Sequence, residues 1–200
     1  MKDWTGTSAS AFKQLGASNH ANDEREENDY YATDPTAIDD LVRVETLDTR
    51  IWEPACGEGH LAKRLTELGY DVTATDLIDR GYGEGGVDFL EIKDWNPNPP
   101  YFPGDIITNP PYKYCTDFIL KSLELVKEGH KVCMFLKLQT LEGQERYNRI
   151  YKDNPPKTIY VYSKRKQCGK NGNFTGSSAV CYAWFVWEKG FKGDTTVKWI

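Results

Sequence analysis

From residue 50 to residue 138 the chain alternates short β-branched or apolar runs with segments whose apolar residues recur at helical spacing, and that alternation most restricts its fold. Residues 50–52, 71–75 and 105–108 read as strands, being apolar or β-branched and bounded by polar residues. Residues 58–68 carry Leu61, Ala62, Leu65 and Leu68 on one helical face before Gly69 stops them, and residues 116–127 do the same with Phe118, Ile119, Leu123 and Val126. The run 131–138 is too continuously apolar for a surface strand and predicts a buried one. Upstream, Asp34-Pro35 opens a short helix with Ala37, Ile38, Leu41 and Val42 on one face. Downstream, a polar helix with Tyr147, Ile150 and Tyr151 ends before Pro155-Pro156, and two strand-like runs, 158–162 and 179–187, close the chain. Strands alternating with helices, then a terminal hairpin, predict an α/β fold: a largely parallel sheet covered on both faces, with antiparallel pairing at one side.

Two hundred residues suffice for one domain with its own core. Residues 1–28, rich in Ser, Thr, Gly, Asn and charge without periodicity, read as an arm; residues 29–200 read as the single domain. The five cysteines never occur as C-x-x-C and the three histidines lack metal-ligand spacing, so neither a metal site nor a disulfide framework is expected. No signal peptide and no membrane span is expected either, and the protein reads as intracellular. The net charge of −5 argues against a nucleic-acid partner until its distribution is considered. Residues 23–40 hold eight acids and one Arg, whereas residues 154–187 hold no acid and five bases: Lys157, Lys164, Arg165, Lys166 and Lys170.

In a sheet of this kind ligands bind beyond the carboxyl ends of the strands, and the loop after the strand at residue 50 spans 53–59. Gly57 and Gly59 let a backbone approach a ligand closely, and the following helix presents its N-terminal N–H groups. Asp76 ends the next strand, where a carboxylate can accept both hydroxyls of a ribose, so a nucleoside ligand is expected. The loop has only G-x-G and carries Glu53 and Glu58, which would repel a pyrophosphate. The sulfonium and ammonium of S-adenosylmethionine suit such acidic surroundings better than a dinucleotide.

Further on lies Asn109-Pro110-Pro111-Tyr112, which sets an amide, a constrained main-chain carbonyl and an aromatic face in one rigid frame. Together these can hold a planar amino group. With Glu53-Pro54-Ala55-Cys56-Gly57-Glu58-Gly59 upstream, the chain resembles S-adenosylmethionine-dependent adenine-N6 DNA methyltransferases, in particular small phage and prophage members with the cofactor motif before the catalytic one. The resemblance implies a Rossmann-like methyltransferase fold with a mostly parallel seven-stranded sheet, no metal, and DNA as partner. It implies Asn109, Pro110, Pro111 and Tyr112 as the catalytic motif. Glu53, Pro54, Ala55 and Gly57 would line the methionine part of the cofactor together with Asn109, and Asp76 its ribose. Asp88 would take the adenine amine, Leu77 and Phe89 would sandwich its ring, and Tyr30 and Thr33 would touch the carboxylate or sulfur end. No separate large target-recognition domain follows the motif, so Lys164, Arg165, Lys166 and Lys170, the polar helix near residues 144–149 or the N-terminal arm would contact DNA.

The same tetrapeptide occurs in enzymes that methylate a glutamine side chain of a release factor, and RNA adenine poses the same chemical problem. A third alternative is a binding module of this fold that has lost activity, such as a phage factor that occupies DNA or blocks a host enzyme.

Overall fold

The computed structural model describes residues 32–96, 100–166, 168–169 and 180–200. Strands β1 (Ala32–Thr33), β2 (Arg50–Glu53), β3 (Asp71–Ala74), β4 (Asp105–Thr108), β5 (Lys131–Lys137), β6 (Thr158–Val161), β7 (Cys168–Gly169), β8 (Tyr182–Glu188) and β9 (Thr196–Trp199) accompany helices α1 (Thr36–Val44), α2 (His60–Glu67), α3 (Cys115–Leu125) and the short α4 (Gln144–Arg146). Seven strands form one sheet in the order β3-β2-β4-β5-β8-β6-β9. β3, β2, β4 and β5 are mutually parallel, β8 runs antiparallel between β5 and β6, and β9 lies parallel to β6.

The central strands are buried almost without interruption, because both faces of the sheet are covered. Ile51 packs on the same side as Ile107, Cys133, Phe135, Trp184 and Val186, where α1 contributes Ala37, Ile38 and Leu41 and α2 contributes Leu61 and Leu65. Trp52, Ile106, Val132, Met134, Phe185 and Trp187 face the other way, against Phe118, Ile119 and Leu123 of α3. A period of two along each strand places successive side chains on opposite faces, and here each face has a helical layer to bury it. The large indoles are also satisfied: Trp52 Nε1–H donates to Thr75 Oγ1 at 3.0 Å, and Trp184 Nε1–H to the Ala37 carbonyl at 2.9 Å. A buried indole without such a partner would cost about 1–3 kcal/mol.

Three features differ from the sequence expectation. β9 is an additional edge strand, and its four residues are all exposed, so no burial pattern announces it. The polar helix is instead the three-residue α4 followed by one π-helical turn, Tyr147–Tyr151, which buries Ile150. Finally, β1 and β7 pair antiparallel, Ala32 with Gly169 and Thr33 with Cys168, and form a small second sheet. No helix among the described residues is long and apolar enough to cross a membrane.

Candidate active site at the carboxyl ends of β2 and β4

The chain passes from β2 outward to β3 and then returns to β4 on the other side of β2. The carboxyl ends of β2 and β4 therefore flank a topological switch point, the place in open α/β sheets where a crevice opens for ligands. Glu53 ends β2 and Asn109 follows β4, so the two segments singled out in the sequence face one crevice.

The first wall is the loop from Glu53 to Gly59. Gly59 has φ +80° and precedes α2, and a Cβ there would run into the Tyr82 ring; only glycine suits this entry to the helix. Gly57 N–H donates to Asp76 Oδ2 at 2.8 Å, Ile78 N–H donates to Asp76 Oδ1 at 2.8 Å, and Cys56 N–H donates to the Thr75 carbonyl at 3.0 Å. These bonds tie the loop to the end of β3 and hold Asp76 at the rim. Pro54 and Gly57 are buried and Ala55 is half-buried.

Glu53 is 2% exposed. One of its oxygens accepts the Ala62 N–H in the first turn of α2, while Oε2 has no hydrogen-bond partner among the described residues. Burial, and then the neighbouring Asp76 carboxylate, push its carboxyl well above the usual carboxylate range. The Cys56 thiol is pushed up to about 12, first by burial and then by Glu53 and Asp76, so it stays protonated and is no nucleophile.

The expected adenine-binding residues are arranged less uniformly. Leu77 is 54% exposed beside Asp76, an apolar side chain held at the mouth. Asp88 is exposed and its Oδ1 accepts the Leu90 N–H at 3.0 Å, capping a one-turn helix, Phe89–Glu91. Phe89 has turned inward: its ring packs against Trp52 at 5.1 Å and Phe118 at 4.9 Å, and it is 2% exposed.

On the second wall, Asn109 Nδ2–H donates to Thr33 Oγ1 at 2.8 Å. Pro110 is buried and Pro111 half-buried. Tyr112 O–H donates to Tyr182 Oη at 3.2 Å, and the Lys137 ammonium lies 3.9 Å from the centre of the Tyr112 ring. Tyr182 in turn stacks on Phe135, ring centres 5.0 Å apart and 17° from parallel. Sequence reasoning missed Lys137 and Tyr182. Both lie at the carboxyl rim because Lys137 ends β5 and pairs with Tyr182 at the start of β8, a register no local pattern displays.

Among the basic residues, Lys164 and Arg165 are exposed. Lys166 is committed within the molecule: its ammonium sits 2.7 Å from Asp40 Oδ2 and donates to Thr36 Oγ1 at 2.7 Å, pinning the segment after β6 to α1. Its charge is thus met by a carboxylate within the molecule. Tyr30 and Lys170 lie outside the described residues. No group of three or more metal-ligating side chains occurs among the described residues.

No family profile and no curated protein matches the sequence. Solved structures do match the fold. A protein described as a class I S-adenosylmethionine-dependent methyltransferase from Listeria monocytogenes superposes with a TM-score of 0.61 at 14% identity, covering 90% of this chain and 68% of that one. A protein described as the modification subunit of a type I restriction enzyme from Vibrio vulnificus YJ016 gives 0.59 at 14% identity over 88% of this chain, which spans 47% of that subunit. One described as a hemolysin from Lactococcus lactis gives 0.57 at 11% identity, covering 83% of this chain and 91% of that one. The sheet order and these likenesses define a Rossmann-like methyltransferase fold. Within that fold, this chain places Asn-Pro-Pro-Tyr at the end of β4, facing an acidic loop at the end of β2.

Proposed function

We propose that this chain is an S-adenosylmethionine-dependent methyltransferase that acts on the N6 amine of adenine in DNA. The observation that carries this reading is the placement of Glu53 and Asn109 at the carboxyl ends of neighbouring parallel strands, on either side of one switch point.

The residues present fit the methyl donor. Glu53 Oε2, buried and without a hydrogen-bond partner among the described residues, calls for a cationic group. Gly57 keeps the loop close to the ligand, Asp76 offers a carboxylate to the ribose, and Leu77 offers an apolar face to the adenine. Asp88 would accept from the adenine amine, with Phe89 supporting that wall from beneath. When bound, the donor supplies an electrophilic methyl group.

The chain's own task is to make an aromatic amine nucleophilic, because the N6 lone pair is delocalised into its ring. Asn109 Nδ2 is held by Thr33, which fixes the amide so that Oδ1 is its accepting end. If Oδ1 and the Pro110 carbonyl each accept one N–H of the target, the nitrogen pyramidalises and its lone pair is directed out of the ring plane. No side-chain base is needed, since the proton leaves once the nitrogen is cationic. A duplex adenine reaches this crevice only by flipping out, and Tyr112 offers it a stacking surface worth about 1–3 kcal/mol. One face of that ring carries Lys137, so a stacked base takes the other face or displaces the ammonium.

DNA is favoured over a protein glutamine or RNA by the Glu53-Pro54-Ala55 form of the first motif and by exposed Lys164 and Arg165 after β6. The test is incubation with labelled S-adenosylmethionine and, separately, plasmid DNA, release factor and transcript RNA. Label in DNA at N6 of adenine is the expected result. Label in protein or RNA alone would replace the substrate, and label in none would leave a binding module of the same fold.

A further inference from the structure

Glu53 and Asp76 form a carboxylate pair at the base of the cofactor loop, and the pair is served unequally. Asp76 receives two backbone N–H groups, from Gly57 and Ile78, one on each oxygen. Glu53 receives one, from Ala62, and its Oε2 has no hydrogen-bond partner among the described residues although the side chain is 2% exposed. Among the described residues, the other titratable groups that face Glu53 are Cys56 from its own loop and Tyr82 from the glycine-rich loop after β3. None of them is a cation. A buried carboxyl that receives a single N–H, leaves one oxygen unmatched and neighbours another carboxyl favours its protonated form. Its elevated affinity for a proton agrees with that geometry.

We infer that Glu53 is protonated in the free protein and gives up its proton to solvent when a cationic group of the donor docks against Oε2, so that donor binding and proton release are one event. The inference rests on the proposed cofactor reading and extends it. A neutral Glu53 leaves the free protein without an unmatched buried charge. Arrival of a cation replaces that proton with a fixed partner charge, and donor affinity therefore rises with pH over the range in which free Glu53 deprotonates.

The cation has two sources in the same ligand, the α-ammonium and the sulfonium. S-adenosylhomocysteine keeps the first and lacks the second, so it separates them.

The experiment is calorimetric titration of the full chain with S-adenosylmethionine, and with S-adenosylhomocysteine, in phosphate and in imidazole, whose ionisation enthalpies differ widely, at about pH 6 and about pH 8. A released proton appears as a buffer-dependent binding enthalpy. The expected result is proton release that is larger at the lower pH and is lost in Glu53→Gln. Release with both ligands assigns Glu53 to the ammonium, and release with the methyl donor alone assigns it to the sulfonium. Binding with the same enthalpy in both buffers at both pH values would overturn the inference while leaving the cofactor reading intact. Absence of any binding would remove the cofactor reading and this inference with it. The wild-type titration decides the matter even if the Gln variant folds poorly.

Discussion

The amide nitrogen of Asn109 donates to the hydroxyl of Thr33 at 2.8 Å, a hydrogen bond between residues 76 positions apart in the chain. Thr33 lies in β1, which pairs with β7, so the segment after β6 is linked through one hydroxyl to the group that would grip the target amine. Asn109→Ala removes the proposed acceptor. Turnover should fall by about 10²–10³-fold while donor affinity stays within a few-fold, since the acceptor acts where charge develops. Single-turnover methyl transfer and calorimetric donor binding measure the two; wild-type turnover would refute the mechanism.

Thr33→Val keeps the shape and removes the acceptor. The amide is then free to turn its wrong end to the target. Its kcat should drop about tenfold, the worth of one hydrogen bond, and Thr33→Ser should restore it. A change in donor KM with unaltered kcat would place Thr33 in cofactor binding instead.

Lys164 and Arg165 should differ from their neighbour Lys166. Charge reversal of the exposed pair should weaken DNA binding, and the slope of log affinity against log salt should shrink by about 0.9 for each phosphate no longer neutralised. Lys166→Ala breaks the bonds to Asp40 and Thr36. Its first effect should be a lower melting temperature, with a cost of about 1 kcal/mol or less for a partly exposed pair. Equal salt slopes for both variants would show that Lys166 reaches DNA after all.

Glu53 also links folding to pH. Its carboxyl is raised in the folded state by burial and then by Asp76, so folding favours the protonated form. Its contribution is fully present below the ordinary carboxyl range and is lost as pH rises through the folded value. Glu53→Gln should remove that loss, so the melting temperature of the unliganded variant, taken relative to wild type, should be higher at about pH 8 than at about pH 5. A domain of this size gains about 2–4 °C per kcal/mol. Thermal melts of both proteins at the two pH values test the sign; a variant that compares better at the lower pH contradicts it.

The short, continuously apolar runs of β4, β5 and β8 and the helical spacing of α1, α2 and α3 make the layered sheet legible in the sequence. The same is true of the switch-point crevice, because Gly57, Gly59, Asp76 and Asn109 sit at strand ends that the pattern defines. What stays hidden depends on distant packing. Phe89 turns inward because Trp52 and Phe118 offer it an aromatic pocket, and neither is near it in sequence. Lys166 reads as one of a basic cluster, yet Asp40, far back in the chain, lies 2.7 Å from its ammonium. β9 has two apolar residues, Val197 and Trp199, which are 45% and 70% exposed, so its pairing with β6 is a backbone matter that side-chain pattern does not report.

β8 runs opposite to its neighbours, which brings its first residue, Tyr182, back to the edge where β6 ends and where Asn109 lies. The stretch joining them thus begins and finishes on the working rim, anchored at either foot by a ladder whose register owes nothing to its length. The span is nonetheless tied to the chemistry it borders, because it carries β7, whose pairing with β1 seats Thr33 against the Asn109 amide, so a change of length or sequence around β7 is felt at that amide.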